Sequence, residues 1–202
     1  MTTLKLRFLV CLLSICFITA CAPPKLKPEW AIPSQGKSQI KATQPSSITS
    51  WEISGAMAAK NQKKAWTASL DWVQSGPEQY QIRLFGPLGG GGVLIEKSKG
   101  IVTFLDGPKK VTSHNADELL ELQTGIRLPV NDLYYWVRGL PASASTKSTQ
   151  YDSKGHLTTL SEAGYVIHYL NYSTISNIDL PEKIVLQGHG VVIKLVIKKW
   201  SI

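Results

Sequence analysis

From Trp51 onward, apolar residues recur at every second position. Trp51, Ile53, Gly55 and Met57 alternate with Glu52, Ser54, Ala56 and Ala58. After the turn signal Asn61-Gln62-Lys63-Lys64, Trp66, Ala68, Leu70 and Trp72 share one face, and Thr67, Ser69 and Asp71 the other. Ser75-Gly76-Pro77 turns the chain again, and Tyr80, Ile82 and Leu84 then alternate with Gln79, Gln81 and Arg83. Val93-Leu94-Ile95 and the run from Ile101 to Leu105 follow. Period two belongs to half-buried strands. Short strands at this spacing, joined by tight turns, predict an antiparallel meander.

Two helical stretches interrupt the alternation. Asn115-Ala116-Asp117-Glu118 reads as a capped helix start, with acid in the first turn and Leu119, Leu120 and Leu122 behind it. That helix is expected to stop near Thr124-Gly125. A second, with Asn131 as its cap, is expected over Asp132 to Arg138, closed by Gly139-Leu140-Pro141. Strands resume near Gln150. Tyr165, Ile167 and Tyr169 oppose Val166, His168 and Leu170, and the last run, Val191 to Lys198, puts Lys194 and Lys198 on one face. The pattern predicts a mainly β fold, one highly curved antiparallel sheet with short helices between its halves. A sheet with one apolar face must cover it. Two short helices cannot cover about ten strands, so the sheet either closes on itself or leaves an apolar hollow.

The first residues follow another pattern. Lys5 and Arg7 precede an apolar run, Phe8 to Ile18, of signal-peptide length and too short to span a bilayer. Ile18-Thr19-Ala20-Cys21 resembles the bacterial lipobox, which predicts cleavage before Cys21 and a lipid on its sulfur. The expected organisation is a signal peptide over 1–20, a lipidated N-terminus and tether over 21–44, and a folded domain over 45–202. The tether is rich in Pro, Lys, Ser and Gln, with no apolar period, as in a flexible linker. Cys11 and Cys16 leave with the signal, so the mature chain keeps no free thiol. Its charge is +6: 22 Lys and Arg less Lys5 and Arg7, against 14 Asp and Glu. Ala22 rather than Asp after the cysteine implies the outer membrane, by resemblance to enterobacterial sorting.

Catalytic signatures are lacking. His114, His156, His168 and His189 form no i, i+4 pair and have no neighbouring cysteine, so no zinc motif exists. His156 and His189, beside glycines, read as solvated turn residues. There is no G-x-S-x-G elbow. The carboxylates are scattered singly. Gly89 to Gly92 is no phosphate-binding loop, because no Lys-Ser/Thr follows and no helix opens there. The basic residues are too dispersed for nucleic acid. What remains odd is Leu88, an apolar residue on the loop tip between Gly86-Pro87 and Gly89.

Taken together, the lipobox, the tether, Trp51-x-x-x-Gly55-x-x-Ala58, Tyr80-x-Ile-x-Leu-x-x-Pro87-Leu88-Gly89, Leu128-Pro129-Val130, Trp136-Val-x-Gly139-Leu-Pro141 and the closing Trp200 resemble the LolB family of outer-membrane lipoprotein receptors. The loop has more glycines than the family usually shows, and Tyr165 stands at a late aromatic position often held by Trp. The resemblance implies an incomplete, open antiparallel β-barrel wrapped over helices, enclosing an apolar cavity. It implies a monomer that accepts triacylated lipoproteins from the periplasmic carrier LolA and inserts them into the inner leaflet of the outer membrane. It implies no enzyme activity, no metal and no cofactor beyond the acyl groups on Cys21. The cavity is expected to be lined by Trp72, Ile82, Leu84, Trp136, Tyr165 and Ile167. Pro87, Leu88 and Gly89 are expected to form a loop that enters the membrane. A second reading stays open, that of a structural or regulatory lipoprotein binding another lipid or a protein partner.

Overall fold

A computed structural model describes residues 44–86, 91–142 and 146–202, all within one compact unit. After a 3-10 turn over Pro45–Ser47 the strands are β1 (Ser50–Lys60), β2 (Ala65–Ser75), β3 (Tyr80–Phe85), β4 (Gly92–Ser98), β5 (Ile101–Asp106) and β6 (Lys109–Ser113). Helices α1 (Ala116–Thr124) and α2 (Val130–Trp136) follow. Then come β7 (Ser148–Tyr151), β8 (Leu157–Glu162), β9 (Tyr165–Ile175), β10 (Ile178–Gly188) and β11 (Val191–Ser201).

All eleven strands form one antiparallel sheet in the order β6-β5-β4-β3-β2-β1-β11-β10-β9-β8-β7. Two meanders are therefore joined back to back by β1 and β11, where Ile53 faces Trp200 and Met57 faces Leu195. The sheet ends at β6 and β7, and this is where the barrel is open. The chain that crosses between those two edges carries both helices, so the connection itself covers the apolar face.

That face is buried along its length. Trp51, Ile53, Met57 and Ala59 of β1, Leu70 and Trp72 of β2, and Ile193, Leu195 and Ile197 of β11 are all buried. The alternate positions Glu52, Asp71, Arg83, Lys194 and Lys198 are exposed. A one-residue slip would reverse every strand, so the predicted inward faces of β1, β2, β3 and β9 are the observed ones.

Two departures have local causes. Strand β6 (Lys109–Ser113) has one apolar residue, Val111, and so no alternation to read; as an edge strand it is mostly exposed, and its lysines discourage pairing with other chains. Helix α2 starts at Val130, two residues earlier than predicted, so Asn131 is not its cap. Pro129 occupies that position with no side-chain cap bond, and the N–H of Val130 donates to the Leu128 carbonyl at 2.9 Å. Helix α1 follows the prediction: Asn115 Oδ1 accepts the N–H of Glu118 at 3.1 Å, and Gly125 ends the helix at φ 74°.

Candidate functional site

The concave face and the helices under it form the site. Its six sequence-predicted residues are all buried: Trp72 (β2), Ile82 and Leu84 (β3), Trp136 (α2), and Tyr165 and Ile167 (β9). They fall into two groups. Trp72, Ile82 and Leu84 lie on neighbouring strands, with Trp72 opposite Ile82 and Leu70 opposite Leu84. Trp136 packs edge-on against Tyr165, ring centroids 5.6 Å apart, and Ile167 lies opposite Leu160 and Leu186. The six are packed core rather than an open chamber wall. One open hollow, of about 510 Å³, lies elsewhere, beside the β1–β2 turn, lined among others by Ala58, Lys60, Ala65, Trp66, Val192 and Lys194.

Where β1 begins and β2 and β11 finish, aromatic rings fill the interior. Trp51 lies 4.9 Å from Trp72, 5.6 Å from Trp200 and 6.5 Å from Tyr134, centroid to centroid. Trp72 Nε1 donates to Gln74 Oε1 at 2.8 Å, and Trp200 Nε1 to the Pro181 carbonyl at 3.0 Å. Arg138 fastens this plug. It is 3% exposed and its guanidinium sits 4.1 Å over the Tyr134 ring. Nε donates to the Tyr134 carbonyl at 3.0 Å and Nη1 to that of Ile48. Burial lowers the Arg138 pKa from its ordinary value. These bonds tie α2 to the segment through which the chain enters the domain.

On the β8 side, Glu162 is 1% exposed. Its carboxylate accepts from Trp136 Nε1 at 2.7 Å, the Ala142 N–H at 2.8 Å and Thr146 Oγ1 at 3.0 Å. A buried carboxylate needs such donors, and here they hold α2 and the chain after it against the sheet. Asp117 and Asp132 are both pushed up, by burial first and then by another acid nearby: Asp132 for Asp117, Glu162 for Asp132. The hydroxyls of Tyr80, Tyr165 and Tyr169 and the indole N–H of Trp51 are buried without a hydrogen-bond partner among the described residues.

Sequence reading did not single out Trp51, Trp200, Tyr134, Arg138, Glu162 or Tyr80 for this site. The two tryptophans stood in the motifs that carry the resemblance. Tyr134, Arg138 and Glu162 act through contacts made only after folding. Pro87, Leu88, Gly89 and Cys21 lie outside the described residues. The loop's flanks are closed by the Gly86 N–H donating to the Gly91 carbonyl at 3.1 Å, which makes it the tip of the β3–β4 hairpin. His156, expected to be solvated, is instead held between two carboxylates. Among the described residues no group of His, Cys, Asp and Glu could hold a metal, and no helix is long and apolar enough to cross a membrane.

The family model described as "Outer membrane lipoprotein LolB" matches residues 49–200. A Pseudomonas paraeruginosa protein named "Outer-membrane lipoprotein LolB" is 33% identical over 98% of this chain and 97% of its own length. One of the same name from Nitrosococcus oceani is 36% identical over 97% of this chain and 98% of its own. A solved LolA superfamily protein from Nitrosomonas europaea is 9% identical, with a TM-score of 0.47 over 76% of this chain and 86% of that one, too distant a likeness to bear on function. With a family match over its whole folded domain and near-full-length relatives above 30% identity, this chain belongs to the LolB family of outer-membrane lipoproteins.

Proposed function

We propose that this protein is a lipoprotein receptor of the outer membrane. It takes triacylated lipoproteins from a soluble periplasmic carrier of the LolA kind and places them in the inner leaflet. The observation that carries this reading is a curved sheet apolar along its concave face and open between β6 and β7, in a chain of the LolB family. Each acyl methylene kept from water is worth about 0.8 kcal/mol, so one long chain exposed in the periplasm costs on the order of 10 kcal/mol. Such a lipid must pass from one apolar surface to another and then to a bilayer. No bond is made or broken, so the protein works as a binding and release device. Its own anchor is the lipid on Cys21.

The close packing of Trp72, Ile82, Leu84, Trp136, Tyr165 and Ile167 adds a mechanical condition. Acyl chains enter where α1 and α2 part from the sheet, and these six side chains then line the space. The open seam lets this happen, because only side-chain contacts and the loops around the helices resist it. With no nucleotide consumed, direction comes from each acceptor holding the lipid more favourably than its donor.

The soluble domain, mixed with a carrier–lipoprotein complex, should take the lipoprotein, read as co-elution. No exchange would favour a structural or regulatory lipoprotein instead. Leu88→Glu should accept lipoprotein normally yet fail to deliver it to liposomes. Normal delivery would remove the loop from the mechanism.

A further inference from the structure

One end of the sheet carries a charge pattern that the binding of acyl chains does not use. The hairpins β1–β2, β3–β4 and β5–β6 all turn at this end, side by side in the sheet order. On one side of the β3–β4 hairpin, the β1–β2 turn brings Lys60, Lys63 and Lys64. On the other, the β5–β6 turn brings Lys109 and Lys110, and Asp106 is the one acid in the two turns. At the opposite end charges are paired: Lys97 lies 3.0 Å from Glu78, and Asp152 and Asp179 flank His156. The β1–β2 turn is a fixed platform. Asn61 Oδ1 accepts the N–H groups of Lys63 and Lys64 at 2.9 and 2.7 Å, and Asn61 Nδ2 donates to the Gly125 carbonyl at 2.7 Å. The turn is thereby fastened to the end of α1, where Leu122 is 74% exposed.

The hollow of about 510 Å³ lies beside this turn. Strand pairing sets its floor. Lys60 stands opposite Ala65 of β2 and Val192 of β11, and Ala58 stands opposite Thr67 and Lys194. Successive residues point to opposite faces of a sheet. Ala59 and Ile193, one position away, are buried, so these six residues face outward, away from the core. Alanine at 58 and 65 keeps the floor low and apolar. Lys60 and Lys194 occupy diagonal positions, with Cβ atoms about 7 Å apart. Neither ammonium has an ion-pair partner among the described residues, and no carboxylate lines the hollow. Two unneutralised cations over an apolar floor fit an anion that carries apolar groups. Free phosphate would use the cations and leave the floor wet; a bare acyl chain would use the floor and not the cations.

We propose that this hollow seats the headgroup of an anionic phospholipid of the target membrane. Lys60 and Lys194 hold its phosphate, the acylated glycerol lies over Ala58, Ala65 and Val192, and the basic turns on either side of the β3–β4 hairpin keep that end of the barrel at the membrane surface. This rests on the receptor reading above, which brings the protein to a bilayer, and adds a lipid preference to it. The seat lies on the outer face, so a phospholipid held there does not compete with the acyl chains of a client. It orients the barrel during release and takes no part in acceptance from the carrier.

The test uses the mature, lipid-anchored protein in two kinds of vesicle: neutral phosphatidylcholine alone, and the same lipid with one part in four phosphatidylglycerol. Delivery of a lipoprotein from its carrier complex into each is timed. The wild type should deliver about fivefold faster into the anionic vesicles, the preference that one Lys beside an anionic surface supplies in binding. The double variant Lys60→Gln with Lys194→Gln should lose that preference and accept lipoprotein from the carrier as before. The double Arg variant should keep it, as should Lys99→Gln with Lys199→Gln, which removes the same charge at the opposite end. Glycerol 3-phosphate, equimolar with the vesicle lipid, should not compete. Equal delivery into both vesicles by the wild type would overturn the proposal, as would an unchanged preference in the Lys60 and Lys194 double variant. An equal loss in the Lys99 and Lys199 variant would mean that net charge acts without this seat. Impaired acceptance would place the two lysines against the carrier, and full competition by glycerol 3-phosphate would make the hollow a free-phosphate site; either result overturns the membrane assignment. If the wild type delivers into neither vesicle, the receptor reading fails and takes this inference with it.

Discussion

Both ring nitrogens of His156 face carboxylates: Nδ1 lies 3.0 Å from Asp152 Oδ2 and Nε2 lies 2.9 Å from Asp179 Oδ2. Only an imidazolium donates from both nitrogens. The ring also stacks on Tyr172 at 4.5 Å, and Asp179 accepts a further bond from Thr174. One side chain thus pins the β7–β8 turn to the β9–β10 hairpin, next to the open edge of the sheet. The bond to Asp179, then those to Asp152, raise the His156 pKa. Both aspartates are lowered, Asp179 chiefly by Thr174 and His156, Asp152 chiefly by backbone N–H groups, with Lys154 adding to each. A raised folded-state pKa means stability fully present below the unfolded histidine value, about 6.5, and lost as pH rises through the folded value. The lowered carboxylates contribute above about pH 3.9 and lose that contribution as pH falls through their folded values. His156→Gln should therefore lower the urea midpoint most between about pH 4 and 6.5. The difference should shrink toward pH 8. An equal difference at every pH would mean that the ring acts only by packing. None of this was legible in the sequence, where Asp152, His156 and Asp179 stand apart and the glycine before the histidine suggested a solvated turn. Buried polar partners of the site, such as Glu162 with Trp136, are hidden for the same reason: their spacing of 26 residues carries no periodic signal.

Among the elements, the curvature of β1 rests on Gly55. The β1–β11 register shifts between Ser54 and Gly55, and a methyl group on Gly55 would meet the Val196 carbonyl oxygen at 1.9 Å. The backbones approach this closely because a bulge bends the strand. Strand β10 has a matching irregularity between Pro181 and Ile184, which also accommodates a proline inside a strand. Gly55→Ala has no flexible side chain to push aside, so the backbone must yield. It should destabilise the domain by about 3 kcal/mol and lower the thermal midpoint by roughly 6–12 °C. A loss below about 1 kcal/mol would show that β1 and β11 can separate freely. The strands themselves were readable because each keeps period two over one buried face. The edge strand β6 was not, since an edge does not need the pattern. The start of α2 was missed because Pro129, which has no capping side chain, stands before it, where the sequence offered Asn131. The close approach at Gly55 leaves only a glycine in an alternating run, a signal that a motif can carry but periodicity cannot explain.

For the whole molecule, the point where the chain enters and the β3–β4 loop lie at opposite ends of the strands. The chain enters at the aromatic plug, where Arg138 ties Ile48 to α2. The β3–β4 hairpin loop leaves from the far ends of its strands. If the anchor on Cys21 and the tip at Leu88 are to meet the same bilayer, residues 21–44 must reach back past at least the length of β3. Six residues at about 3.3 Å each make that about 20 Å, before the loop itself is counted. A flexible linker of 24 residues has a typical end-to-end distance of about 27 Å and a much longer maximum, so the natural spacing suffices. Deleting residues 27–44 leaves Cys21 and the five residues after it, which together span about 20 Å only when fully extended. In vesicles carrying the anchored protein, this deletion should leave acceptance of lipoprotein from the carrier intact while cutting insertion several-fold. Replacing the deleted segment with 18 residues of Gly and Ser should restore insertion if the segment supplies reach rather than sequence. Full insertion by the shortened protein would mean that the loop and the anchor need not share one membrane surface, and that the cavity discharges from the plug end instead.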